Sequence, residues 1–237
     1  MGIKLAHIVP PSFGDLYRTG YYLALGQKLL SDRGYREQTL RLSKAGGFVI
    51  VDNGAAEFDQ PPFADVAQVA AYVRAAEVVM PDVLFDKEAT IANVTALKNR
   101  NLVPPEQRLI IPQGNTIAEW FECLAFLKEA VAFGTLGIPK HLEKHEGGRA
   151  KVMNELPATA QRIHFFGVYQ DPKTEIATAV AAKVRGLDSG AAVAYAQANM
   201  RLDSGIHVSL NWDARPGPQE RTEAFKNIMQ MEDWANG

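Results

Sequence analysis

Phe48-Val49-Ile50-Val51-Asp52-Asn53-Gly54 is a run of four apolar residues, three of them β-branched, that stops at an acid, an amide and a glycine. A continuous apolar run of this length reads as a strand buried on both faces, because a strand with one wet face alternates. The segment after it, 64–76, places apolar residues three and four apart, the spacing of a helix. The same couple recurs along the chain. Strands are expected near 4–9, 48–52, 78–82, 109–113, 133–138, 163–168 and 184–188. Helices are expected around 16–30, 64–76, 90–100, 117–130, 149–156, 174–183, 192–200 and 222–234. Buried strands joined by helical crossovers make a parallel sheet covered on both faces. The fold class is therefore α/β, and the reading is a (β/α)8 TIM-like barrel. Only seven strands are counted, so either 206–212 supplies the eighth or the barrel is incomplete.

At 237 residues the chain suits one such barrel or two small domains. The proline pairs at 61–62, 104–105 and near 216–218 are too short to be linkers, so a single domain over 1–237 is expected. With 47% hydrophobic and 22% charged residues the chain can bury a large core, and no stretch is apolar enough for a membrane span. The first residues show no export signal, and a cytoplasmic location is expected. A single cysteine, Cys123, excludes an intramolecular disulfide and any cysteine-based zinc or iron-sulfur site, and it reads as a small buried apolar residue. A formal charge of −2 argues against coating nucleic acid broadly, so any such contact is local.

Reacting groups in a parallel α/β fold lie where strands end. Here those ends are polar: Asp52-Asn53-Gly54, Asp82, Gln113-Gly114 and Asp188-Ser189-Gly190. Each also has a bland explanation, since Asp-Asn-Gly makes turns and Asp188 can cap the helix after it. Three carboxylates and an amide at strand ends are harder to explain as caps alone. The five histidines (His7, His141, His145, His164 and His207) show no nucleophile-elbow context, and the glycine-rich stretches match neither dinucleotide nor P-loop spacing. His141 and His145 have i, i+4 spacing, but the zinc-protease signature and a third ligand are missing. Two carboxylates around a sugar carbon can run a double displacement, which needs no cofactor.

The order of these motifs resembles the tRNA-guanine transglycosylases and their relatives that insert 7-deazaguanines into DNA, over about residues 48–194. The resemblance implies that Asp52, in Val51-Asp52-Asn53-Gly54-Ala55, is the acid/base, with Asn53 beside it. It implies that Asp82 grips the Watson-Crick edge of the base, with Asp86 as a rival that reads more simply as a helix cap. Gln113 and Gly114 correspond to a Val-Gln-Gly segment at the base's exocyclic groups. Thr135 and Leu136, within Gly134-Thr135-Leu136-Gly137, are similar to a Gly-Gly-Leu segment that offers backbone amides to the purine oxygen. Phe166 and Gly167 resemble a Met-Gly-Val segment over the base face. Asp188 would be the nucleophile. The tetrapeptide Leu-Asp-Ser-Gly recurs at 202–205, so Asp203 is a second candidate, although no strand precedes it.

The departures narrow the expectation. The zinc subdomain's cysteines are absent, as is a tRNA-binding extension, and Ala55 and Thr135 replace family glycines. These losses fit a minimal, virus-encoded enzyme that exchanges guanine in DNA, in preference to tRNA, for a free 7-deazaguanine. In a virus-encoded enzyme the location would be the host cytoplasm. A DNA substrate would have to be flipped or single-stranded. Lys140, Lys144, Arg149 and Lys151 form a candidate phosphate contact whose alternative is an ordinary solvated surface. Two other functions use the same residues: an N-glycoside hydrolase with water as acceptor, and a noncatalytic purine or nucleic-acid-binding module in which Asp188 only caps a helix.

Overall fold

The structure is a computed structural model that describes residues 2–16, 20–55, 60–157, 162–169 and 171–237. In chain order its elements are β1 (Lys4–His7), β2 (Tyr21–Leu25), α1 (Gly26–Ser31), α2 (Arg33–Lys44), β3 (Phe48–Asp52), α3 (Phe63–Tyr72) and β4 (Glu77–Val79). There follow α4 (Lys87–Ala96), β5 (Arg108–Ile110), α5 (Ile117–Ala130), β6 (Thr135–Pro139), α6 (Gly148–Glu155), β7 (Arg162–Phe166), α7 (Pro172–Ala181), β8 (Gly186–Ser189), α8 (Ala191–Gln197) and α9 (Pro218–Asn236). The strands belong to one sheet in the order β1-β8-β7-β6-β5-β4-β3-β2. The ladders β1 with β8, β3 with β4, β4 with β5, β5 with β6 and β7 with β8 are all parallel. The fold class is α/β of the (β/α)8, TIM-like type, irregular in that the strand order ends at β1 and β2 rather than joining them.

All seven expected strands are present, and the eighth corrects the sequence reading. It is Tyr21–Leu25, inside the segment expected to be helical over 16–30, and 206–212 has no regular structure. Residues 17–19 of that expected helix lie outside the described residues. Tyr-Tyr-Leu-Ala-Leu is buried at every position, so its apolar spacing carries no period at all. Aromatic residues and flanking glycines, Gly20 and Gly26, are the strand signals that the apparent helical spacing masked. Ile206, by contrast, is 56% exposed. The helix α2 was not expected either. It buries only Tyr35 and Thr39 on an otherwise charged surface, and Asp32 caps it by accepting from Tyr35 N–H at 3.0 Å.

The chain forms two compact units, one of Met1–Leu23 with His164–Gly237 and one of Ala24–Ile163. In the second unit, α4 and α5 start where side chains cap them: Asp86 accepts from Ala89 N–H at 2.9 Å and Thr116 from Glu119 N–H at 3.1 Å. Asp86 is thus the cap that its sequence context suggested. The wholly buried Trp120, Cys123, Leu124 and Leu127 form the core face of α5. Burial pushes the Cys123 thiol up to about 11, which makes it an inert core residue. Gly26 has no room for a side chain, because a Cβ there would stand 2.9 Å from the Asp52 carbonyl. In the first unit, α9 packs against β1 and α7 against β8, and α9 also lies against α7 and α8; its Ala224, Ile228, Met231 and Ala235 are buried at helical spacing. Among the described residues no helix is long and apolar enough to cross a membrane.

Candidate functional site

In the Ala24–Ile163 unit, parallel pairing sets three strand ends side by side: Val51 lies opposite Val78, Val78 opposite Arg108, and Val79 opposite Leu109. The loops that leave these strands carry Asn53, Asp82 and Gln113. Asn53 Nδ2 donates to Asp82 Oδ1 at 2.6 Å and to the Met80 carbonyl at 2.9 Å. Gln113 Nε2 donates to Asp82 Oδ2 at 2.5 Å. The other ends of both amides are also engaged, since Asn53 Oδ1 accepts from Ala55 N–H at 2.8 Å and Gln113 Oε1 from Phe85 N–H at 3.3 Å. Gln60 Nε2 closes the group on the Asp82 carbonyl at 2.5 Å.

This carboxylate is 2% exposed and pairs with no cation among the described residues. Burial pushes its pKa from 3.8 up to about 6, and the two amide hydrogen bonds pull the other way without cancelling that effect. Two of its lone-pair sites are occupied by amides, which leaves acceptor capacity on both oxygens for a ligand with paired N–H donors. Asp52 ends β3 and is buried beside this group in sequence.

In the other unit, Asp188 lies on β8 and is 3% exposed. Its Oδ1 is 2.9 Å from His164 Nε2, and its Oδ2 accepts from Gly167 N–H at 3.1 Å. Gly167 holds that amide in place with φ +68, a conformation that suits glycine. His164 is wholly buried, and its Nδ1 is 2.9 Å from the Tyr21 hydroxyl, which in turn accepts from Arg185 Nε at 3.1 Å. Because a carboxylate can only accept, His164 presents an Nε2–H to Asp188. The Phe166 ring meets His164 edge to face at 4.8 Å. Asp188 does not cap the helix that follows, whose N-cap residue is Gly190 with no side-chain cap; Ser189 Oγ accepts from Ala191 N–H at 3.0 Å in the turn that leads into it. Its rival Asp203 stands on the surface, held by two hydrogen bonds from Arg201 at 2.9 and 2.7 Å that lower its pKa.

The structure therefore joins Asn53, Asp82 and Gln113 in one cluster and Gly167 with Asp188 in another. Gly114 enters the first cluster's surroundings through its backbone, which hydrogen-bonds His141. Thr135 and Leu136 are elsewhere on their strand. They open β6 instead of ending it, the Thr135 hydroxyl bonds Glu77 at 2.6 Å, and Leu136 is core. Arg149 leaves the expected phosphate patch, because it is wholly buried and donates to Glu143 at 2.7 Å. Lys144 and Lys151 are exposed and Lys140 is half-buried. Sequence reasoning missed His164 and Tyr21. Their signal was present only in part, as a histidine inside the apolar run 163–168, a place where imidazole needs partners. Among the described residues no group of three or more His, Cys, Asp or Glu is placed to hold a metal ion. No family model matches the chain, and no curated protein matches it.

Proposed function

We propose that the protein is a base-exchange transglycosylase that replaces guanine in a nucleic acid, DNA before tRNA, with a 7-deazaguanine. The observation that carries the reading is the Asp188 carboxylate, buried, not engaged in capping α8, and fixed by His164 and Gly167. A carboxylate oriented in this way has lone pairs left for attack on a sugar carbon.

In this account Asp188 attacks C1′, the bond from C1′ to the base breaks, and Asp52 gives the departing guanine its proton. The sugar is then an ester of Asp188. The incoming base loses its N9 proton to Asp52, attacks C1′, and frees Asp188, which restores both aspartates to their starting states. His164 steadies the Asp188 charge before attack and after release. Asp82 reads the paired N–H donors of the guanine edge, a match worth about 1–3 kcal/mol against a wrong base. Gln113 and Asn53 hold it for that task.

Incubation of guanine-labelled single-stranded DNA and tRNA with guanine or 7-deazaguanines tests the reading. Label should leave DNA only when a free base is supplied. Release into water without an acceptor base would make the protein a hydrolase, and absence of release from either polymer would refute catalysis.

A further inference from the structure

Phe85 departs from local rules. Its φ is +64, in the left-handed region that a bulky side chain rarely enters, and the residue is 38% exposed. The strain is held from both sides of the residue: its N–H donates to Gln113 Oε1 at 3.3 Å and its carbonyl accepts from Asn115 Nδ2 at 3.0 Å. Backbone strain of this kind persists only where neighbours enforce it, and such residues gather at ligand sites. Two groups then brace the ring. The His141 ring centroid is 4.6 Å away at 57°, and Lys144 Nζ is 5.3 Å from the Phe85 centroid. Burial lowers the His141 pKa to about 4, so this buried imidazole is neutral and does not repel the lysine. An aromatic ring at the surface with an exposed lysine reaching over its rim supplies the two groups by which single-stranded nucleic acids are held, one stacking a base and the other meeting phosphate.

We propose that Phe85 is a stacking platform for a base flanking the exchanged guanine in single-stranded DNA, with Lys144 at the adjoining phosphate. The inference rests on the base-exchange reading and adds to it the place where the polymer, as distinct from the free base, is gripped. A flanking base is favoured over the guanine itself because Phe85 is an exposed residue, whereas Asp82 is buried.

The test uses the full chain and single-stranded oligonucleotides with one guanine among thymines, with or without an abasic site beside the guanine. Affinity is read by fluorescence anisotropy, and binding of free guanine by calorimetry. Phe85→Asn removes the ring yet tolerates the left-handed backbone, and Phe85→Trp retains an aromatic. The wild type and Phe85→Trp should lose about tenfold in affinity at the abasic oligonucleotide, the scale of one stacked base. Phe85→Asn should bind both oligonucleotides equally weakly and keep its guanine affinity. An undiminished oligonucleotide affinity in Phe85→Asn, or a loss of free-guanine binding, would overturn the proposal. Exchange activity with an unaltered KM for DNA in Phe85→Asn would refute it and leave the transglycosylase standing. Ring-dependent DNA binding without any exchange would do the reverse.

Discussion

The Asp188 carboxylate and the His164 imidazole lie 2.9 Å apart, both buried, on neighbouring parallel strands in which His164 pairs with Gly186. Asp188 is two residues beyond that pairing, so both side chains emerge on one face of the sheet. A histidine donating to a carboxylate removes part of the cost of burying the charge and limits the directions in which its free lone pairs point.

Loss of the His164 bond should therefore slow the attack without altering base recognition. His164→Phe is expected to lower kcat by about 10–100-fold, the equivalent of one charge-assisted hydrogen bond, while free-guanine binding stays within about twofold. His164→Gln retains a donor and should recover part of the loss. Equal kcat in the wild type and His164→Phe would remove His164 from the mechanism.

Asp82 predicts two effects of pH with opposite benefit. Its folded pKa of about 6 is above the ordinary 3.8, so the folded state holds its proton more tightly than the unfolded chain. The associated stability is complete below about pH 4 and is lost as pH rises through about 6, which makes the ionised site a strained one. In the proposed function guanine binding would need the carboxylate, so affinity should fall as pH drops below 6, by up to about tenfold per unit. Calorimetric titrations and denaturant melts at pH 5 and pH 8 measure both effects. Asp82→Asn should flatten both profiles, and an unchanged pH dependence of binding in that variant would exclude Asp82 as the base reader.

Ser189 and Asp188 are adjacent yet should separate cleanly. Ser189→Ala removes the turn hydrogen bond that leads into α8 and should lower stability by about 1 kcal/mol, with kcat close to wild type. A large kcat loss with unaltered stability would mean that the hydroxyl, too, serves the reaction.

Arg149 and Lys151 give the corresponding contrast in the basic segment. Arg149→Met leaves Glu143 without its buried partner and should destabilise the fold by about 2–4 kcal/mol in a chemical melt. Lys151→Ala should change stability by less than about 0.5 kcal/mol, since its pairing with Glu155 at 4.0 Å is exposed. Equal, small effects would return Arg149 to the surface patch.

The strand ends were readable from sequence because burial on two faces forces an unbroken apolar run, and the run stops where the chain meets polar company. That logic found Asp52, Asp82, Gln113 and Asp188. It failed at Tyr21–Leu25, where a fully buried strand and a helix core face present the same residues, and only the flanking glycines differ. It also assigned Arg149 to solvent, because charge alone does not reveal that the buried guanidinium meets a half-buried Glu143 at 2.7 Å. His164 was illegible for a related reason. Its importance lies in partners at Tyr21 and Asp188, 143 and 24 residues away, and pairings over such distances exist only in the folded chain.

The central claim is that Asp188 becomes covalently attached to the sugar. Quenching the protein during incubation with a guanine oligonucleotide and a free base, followed by denaturing mass spectrometry and peptide mapping, measures it directly. The wild type and Asp203→Asn should both yield an adduct on the peptide that contains Asp188, and Asp188→Asn should yield none while still binding guanine. An adduct that persists in Asp188→Asn, or one that maps to Asp203, would contradict the account.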